Sequence, residues 1–249
     1  MRTLIMCSLR TVLVSILFTI TINMPSQALT LGVEDTNYAP YFYLDNEQKF
    51  QGAAREIFDL FSAASDLKIS FSPMPVPRLF NEFVKGNVEL KFPDNPLWSS
   101  SLTTTVKVHY SEPVLDITES LLVLKQEPAM AKKDIKMVGT ILGFSIPGIA
   151  ESVAKHEFEA VKTREVEQLV HMLMSNRVQG VYFNEIVAKN LMKKMYPNKS
   201  LIRHSQHPPF RYSYHLSSIK HPKLIEKFNE FLISHREELD KIRSRYGLK

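Results

Sequence analysis

The sequence predicts an α/β protein built as two lobes. Three observations carry that expectation. Short apolar, strand-like segments alternate with segments of helical period along the chain. The alternation runs up to about residue 120 and then begins again. No internal repeat, low-complexity tract or Gly/Ser linker separates the two series, so strand-like crossings are expected between the lobes. The length of 249 residues allows one or two domains. Apolar residues at 44% and charged residues at 23% exclude a disordered tail, a collagen-like repeat and a polytopic membrane protein. A single cysteine excludes a disulfide scaffold and a Cys-rich zinc module. The net charge of +5 is mild, and no basic run exceeds Lys132-Lys133 or Lys193-Lys194. Nucleic acid is therefore not expected as a partner.

Residues 1–28 read as a secretory signal peptide. Arg2 and Arg10 make a positive leader, Thr11 to Ile22 is uncharged and mostly apolar, and Ser26-Gln27-Ala28 supplies small residues for cleavage. The apolar run is shorter than the roughly 20 residues a membrane span needs. Cleavage after Ala28 removes Cys7, the one cysteine, and with it any thiol chemistry. The periplasm is the expected compartment.

The elements follow in order. Leu29 to Val33 reads as a strand, Tyr38-Ala39-Pro40-Tyr41-Phe42 as an aromatic loop and Asp45-Asn46-Glu47-Gln48 as a turn. Ile57, Leu60, Phe61 and Ala64 recur at helical spacing within a helix from Ala53 to Ala64. Lys68 to Ser72 alternates as a strand, and Arg78 to Lys85 is a helix stopped by Gly86. Pro, Asn and Ser mark Phe92 to Thr105 as a loop, and Ser120 to Lys125 is a strand. In the second series Lys136–Ile141, Val161-Lys162, Val178–Phe183 and Tyr212–Leu216 read as strands. Ala150–His156, Glu165–Met174, Glu185–Met195 and one or two helices within Pro222–Tyr246 lie between and after them. Largely parallel sheets are expected from this order.

Five pieces in this order resemble the family 3 extracytoplasmic solute-binding proteins, the polar amino-acid type of ABC-importer subunit. LGVEDTNYAPYFYLDNEQKFQGAAREIFDLF is similar to that family's first strand, aromatic ligand loop, turn and first helix. Tyr110-Ser111-Glu112-Pro113 resembles the segment ahead of its hinge, and MVGTILGFSIPGIAES the opening of its second lobe. EVEQLVHMLMSNRVQGVYFNE resembles the helix and strand that end at a ligand position, and HPKLIEKFNEFLISHREELDKIRSRYGLK the C-terminal helices. The resemblance implies a type II periplasmic-binding-protein fold, with each lobe a mostly parallel sheet flanked by helices. Residues 29–117 and 213–249 would form lobe 1 and residues 118–212 lobe 2. A small ligand would lie in the cleft, the two lobes closing around it. A monomer and an ABC permease in the inner membrane are the implied assembly state and partner.

The resemblance and the residues together give nine candidate ligand contacts. Tyr38 matches the family's stacking aromatic, or else packs in the core. Arg78 at a helix start opposes the helix dipole, so it clasps a carboxylate ligand or pairs with Glu82. Asp94, Asn95 and Trp98 lie in the Phe92–Ser99 segment, where the acid and amide suit an ammonium or hydroxyls and the indole a ring or cation; an Asx-turn and a packed Trp are the alternatives. Gly143 and Ser145 precede a helix and suit an anion, although Ser145 also reads as an N-cap. The family's carboxylate-binding Arg is replaced by Thr104, with Lys107 the nearest cation in sequence, and its ammonium-binding Asp by Asn184. Both departures open the ligand class to amino acids held in another way, organic acids, peptides or amines.

His204 and His207 form the only close histidine pair, with no acid near them in sequence, so no metal site is expected. No Gly-x-Ser-x-Gly, Walker, His-Glu-x-x-His or dinucleotide motif occurs, and no cofactor is expected. A non-catalytic binding protein for a small polar or anionic solute is the leading expectation. A soluble sensor subunit for a membrane receptor and a dehydratase-like enzyme on the same fold are the alternatives. The enzyme would need Glu185 or Asp94 aimed into the cleft.

Overall fold

In a computed structural model the described residues are 28–98, 106–125 and 135–248. Residues 1–27, on which most of the expected signal peptide and Cys7 fall, and Thr104 lie outside them. The first strand, β1 (Leu29–Glu34), lies between β4 (Ile69–Met74) and β5 (Leu90–Asp94), parallel to both. A small hairpin of β2 (Tyr43–Leu44) and β3 (Phe50–Gln51) precedes helix α1 (Ala53–Ser65). Of the predicted helical face Ile57 and Phe61 are buried, Leu60 is half-buried and Ala64 is exposed; Phe58 enters the core beside them, and Phe58 and Phe61 meet Phe228. Gly52 opens α1 at φ 103°, and a Cβ there would stand 2.7 Å from the Tyr41 carbonyl oxygen. Only glycine fits that backbone.

Helix α2 (Val76–Val84) starts two residues ahead of the predicted Arg78. Pro77 stands in its first turn, where a fixed φ and a missing N–H cost nothing, so the helix begins within the Pro75-Val76-Pro77 run. Strand β5 likewise extends into the predicted Phe92–Thr105 loop. All five of its residues are buried, so it lacks the alternation that marks a half-exposed strand.

Two long strands hold the centre. After β6 (His109–Tyr110), β7 (Leu115–Leu124) runs antiparallel to β12 (Phe210–Ser218), with Phe210 opposite Glu119 and Tyr214 opposite Leu115. Beyond β7 come β8 (Met137–Ile141), β9 (Glu159–Thr163) and β10 (Gly180–Asn184), joined by α3 (Ala150–Ala154) and α4 (Val166–Met174). Helix α5 (Glu185–Met195) leads to β11 (Leu201–Arg203), and α6 (Pro222–Ser234) and α7 (Arg236–Arg245) close the chain. The strand order is β4-β1-β5-β12-β7-β10-β8-β9, with β6 on β12 and β11 on β7. The sheet is thus parallel at each end and antiparallel through its middle. The strands β4-β1-β5 and β10-β8-β9 are parallel, as expected, while β12 returns from the second series to pair antiparallel with both β5 and β7. No helix among the described residues is long and apolar enough to cross a membrane.

Candidate functional site

Three charged side chains interrupt apolar strands near the centre of the sheet. Glu34 ends β1, Lys91 lies inside β5 and Glu119 inside β7; each is 5% exposed or less. Burying a charge is costly unless it is paired. Lys91 meets that cost through Asp94, whose Oδ1 lies 2.7 Å from its ammonium. Asp94 is held in turn by the Ser217 hydroxyl at 2.5 Å and by its neighbour's backbone N–H, Asn95 N, at 2.8 Å. The Lys91 ammonium also stands 5.7 to 5.9 Å from the ring centroids of Phe80, Phe83 and Trp98, within cation–π range.

The two glutamates are less well provided for. Tyr212 donates its hydroxyl to Glu119 Oε1 at 2.8 Å, whereas Glu119 Oε2 is buried with no hydrogen-bond partner among the described residues. Burial pushes Glu119 up to about 7, with the Tyr212 and Tyr182 hydroxyls offsetting part of the rise. Burial pushes Glu34 up to about 8; Lys91 opposes the rise, and Asp94 and Asp35 add to it.

All three side chains line one cavity of about 320 Å³. Its walls are Val76, Pro77, Leu79, Phe80 and Asn81 from α2, the Gly143-Phe144-Ser145 turn after β8, Trp98, and Tyr212 and Tyr214 of β12. Trp98 meets Tyr212 and Tyr214 edge-on at 5.9 and 5.5 Å. The result is a small apolar-walled chamber with acids at its base, a size and chemistry suited to a small ligand.

The chamber brings together three of the nine sequence candidates: Trp98, Gly143 and Ser145. Ser145 does not cap a helix, because the chain first makes a 3-10 turn at Pro147–Ile149 and α3 begins only at Ala150. Asp94 lies behind Lys91 and is not part of the lining. Asn95 forms the Asx-turn of the alternative reading: its Oδ1 accepts from Leu97 N at 2.8 Å, and its Nδ2 donates to the Ser213 carbonyl at 2.7 Å. Tyr38 is fully buried, stacked on Phe42 at 5.1 Å and edge-on to Phe183 at 5.1 Å. Asn184 caps α5, accepting from Ile186 N at 2.9 Å and Val187 N at 3.1 Å. Arg78 and Lys107 are exposed and stand outside the lining, and among the described residues Arg78 makes no ion pair with Glu82.

Glu185, the other acid considered for catalysis, is committed elsewhere. It accepts from Ser120 Oγ at 2.6 Å and Lys189 Nζ at 3.1 Å, and it pairs with Arg203. Burial raises its pKa, but the hydrogen bonds from Arg203, Ser120 and Lys189 outweigh burial and hold it below the usual value. The His204 and His207 rings lie 5.2 Å apart, tilted by 40°, and no group of three or more His, Cys, Asp or Glu residues among those described is placed to hold a metal.

Glu34, Lys91, Glu119, Phe80, Phe144, Tyr212 and Tyr214 were not singled out from the sequence. For Glu34 and Glu119 a signal existed: each adjoins an apolar strand-like segment, and a charged residue closing such a strand must be paired or functional when both faces are covered; Lys91 stood in no predicted strand.

Comparison with known proteins places this geometry. No curated protein sequence matches the chain at a significant level. Among solved structures, a histidine kinase sensor domain with similarity to periplasmic binding proteins superposes with a TM-score of 0.72 at 15% identity, over 88% of this chain and 96% of that one. An ancestral arginine-binding protein bound to arginine gives 0.69 at 20% identity, over 88% and 97%. The arginine-, lysine-, histidine-binding protein ArtJ from Geobacillus stearothermophilus gives 0.69 at 17% identity, over 88% and 95%. At these identities the likeness shows the fold. The family model for bacterial extracellular solute-binding proteins, family 3, matches residues 29–249. With the two-ended sheet and the chamber beside its central strands, that match places the chain in family 3 of the bacterial extracellular solute-binding proteins.

Proposed function

We propose that this protein captures a small solute in the Glu34–Lys91–Glu119–Trp98 chamber and delivers it to an ABC-type permease, without chemistry of its own. One observation carries the reading. Buried ionisable groups from β1, β5 and β7 converge on a single cavity with aromatic walls. A stable core gains nothing from unpaired acids, so a ligand that compensates them is the physical reason for their presence. The saturation of Asp94 and Glu185 by their own neighbours supports binding rather than catalysis.

In this reading Trp98, Gly143 and Ser145 touch the ligand, while Asp94 and Asn95 hold the base of the chamber. Tyr38 backs the Phe144 wall from behind, and Asn184 caps α5 without touching the ligand. Residues 29–117 with 213–249 form one lobe and 118–212 the other, and residues 1–28 direct export to the periplasm. Strands β7 and β12 form the crossing about which the lobes close.

Trp98 is the only tryptophan in the chain, so it reports on its own site. In a solute screen, a ligand at a hundred times its Kd adds about 2.7 kcal/mol of stability, a shift of several degrees in melting temperature. The same ligand changes Trp98 fluorescence, and Trp98→Ala weakens its binding. A ligand that stabilises the wild type and Trp98→Ala equally, with no change in fluorescence, places the site elsewhere.

A further inference from the structure

We propose that the chamber takes an organic amine that carries no carboxylate, its ammonium held by Glu119 with Glu34 as the second acidic wall. The assignment rests on the binding reading above and names its solute class.

The charge inventory of the chamber points one way. Among the described residues three carboxylates, those of Glu34, Asp94 and Glu119, and one ammonium, that of Lys91, stand around it. The ammonium is already spent on Asp94, at 2.7 Å with both side chains buried. A ligand carboxylate would have to break that pair or lie unpaired against two acids, and either is costly away from water. Arg78 and Lys107, the cations expected to receive an anion, are exposed and outside the lining.

Glu119 supplies a second, independent observation. It is 97% buried and lines the chamber, one oxygen is held by Tyr212, and Oε2 has no partner among the described residues. A buried acceptor with nothing to accept awaits a donor, and an ammonium supplies both donor and charge. Lys91, the cation that acts on the Glu34 carboxyl, makes its ion pair with Asp94 instead. The remaining walls fit the body of such a ligand. Trp98, Tyr212, Tyr214 and Phe144 offer apolar surface and π faces that attract a cation.

Binding would then be linked to protons. In the free protein burial holds Glu34 near 8, against Lys91 and with Asp94 and Asp35, and Glu119 near 7, against Tyr212 and Tyr182. A bound ammonium favours the ionised carboxylates, so each protonated acid gives up its proton on binding.

The test titrates the purified protein with matched pairs that differ by one carboxylate: phenethylamine against phenylalanine, cadaverine against lysine, agmatine against arginine. Trp98 fluorescence and calorimetry in buffers of different ionisation enthalpy are the readouts. The expected result is that an amine binds about ten-fold or more tightly than its amino acid, the worth of removing one repelled charge. Its affinity rises from about pH 6 to about pH 9, with protons released at neutral pH. Glu119→Gln loses about ten-fold or more in amine affinity, equivalent to one charge-assisted hydrogen bond. An amino acid or organic acid that binds more tightly than the amines and still moves Trp98 fluorescence overturns the amine assignment and leaves the binding function standing. Amine binding without a fluorescence change, or unchanged in Glu119→Gln, overturns the chamber as its site. Should Glu119→Gln fail to fold, Glu34→Gln and proton release by the wild type decide, and binding without proton release overturns the proposal.

Discussion

Glu34 and Glu119 do opposite things for the free and the bound protein. Each is destabilising in the empty chamber once ionised, because its folded pKa is raised above the ordinary carboxyl value of 4.5, to about 8 and about 7. The unfolded chain loses these protons near 4.5 while the folded chain retains them, so their contribution is full below that value and is lost as pH rises through the folded pKa. The ligand-free protein is therefore expected to melt at progressively lower temperature as pH is raised toward about 8, and Glu34→Gln should flatten that decline and raise the melting temperature at its alkaline end. Parallel melting curves for wild type and variant would mean that Glu34 is ionised throughout. At this scale the sequence showed the chemistry only in part. Trp98 stood out as a lone indole between two prolines and a serine run, whereas Glu34 and Glu119 fell just outside the apolar segments Leu29–Val33 and Ser120–Lys125. The structure puts both inside the strands, where their lack of solvent is what makes them distinctive.

Asn184 shows how an element assigns a role that residue identity leaves open. In sequence it stands where the family resemblance places a ligand-binding acid; in the fold it ends β10 and caps α5 with two backbone N–H groups on Oδ1. Asn184→Ala should cost about 1 kcal/mol in a denaturant titration, the ordinary worth of such a cap, with ligand affinity unchanged. Loss of affinity at unchanged stability would restore it to the ligand. Gly143 makes the complementary case. Its φ of 90° turns the chain after β8 so that Phe144 faces the chamber, with Val76 Cβ 3.5 Å from where a side chain would begin. Periodicity located most helices because their buried faces recur at helical spacing, as Ile57, Phe58 and Phe61 do in α1. It missed the start of α2 and the whole of β5, where proline and full burial erase the pattern.

Across the whole molecule one sheet carries both series of strands. β12 pairs with β5 through His215 and Ser217 and with β7 through Phe210 to Tyr214, so the two parallel ends share a common antiparallel centre. The larger of the three apolar cores spans both ends, joining Leu31 and Phe58 to Val181 and Leu191. Aromatic contacts cross between them as well: Tyr38 from the first series meets Phe144 and Phe183 from the second. Such continuity predicts a single cooperative thermal transition, with calorimetric and van't Hoff enthalpies equal. Two resolved transitions would mean that the halves unfold separately and that the central strands do not couple them. A bound solute should move that transition upward as one, since it touches strands from both series.

The sequence by itself determined the α/β class, the places of most helices and the resemblance that the family match over residues 29–249 bears out. These are local or linear properties: hydrophobic period, turn residues and motif order survive in the chain without its fold. Tertiary structure alone decided which side chains share the chamber. Glu34, Lys91 and Glu119 are far apart in sequence and meet because β1, β5 and β7 flank β12 or one another in the sheet order. It also decided which charges are free. Lys91 is neutralised by Asp94, while Glu119 is left with an oxygen to offer, and that difference follows from pairing and burial, which arise only when the strands come together.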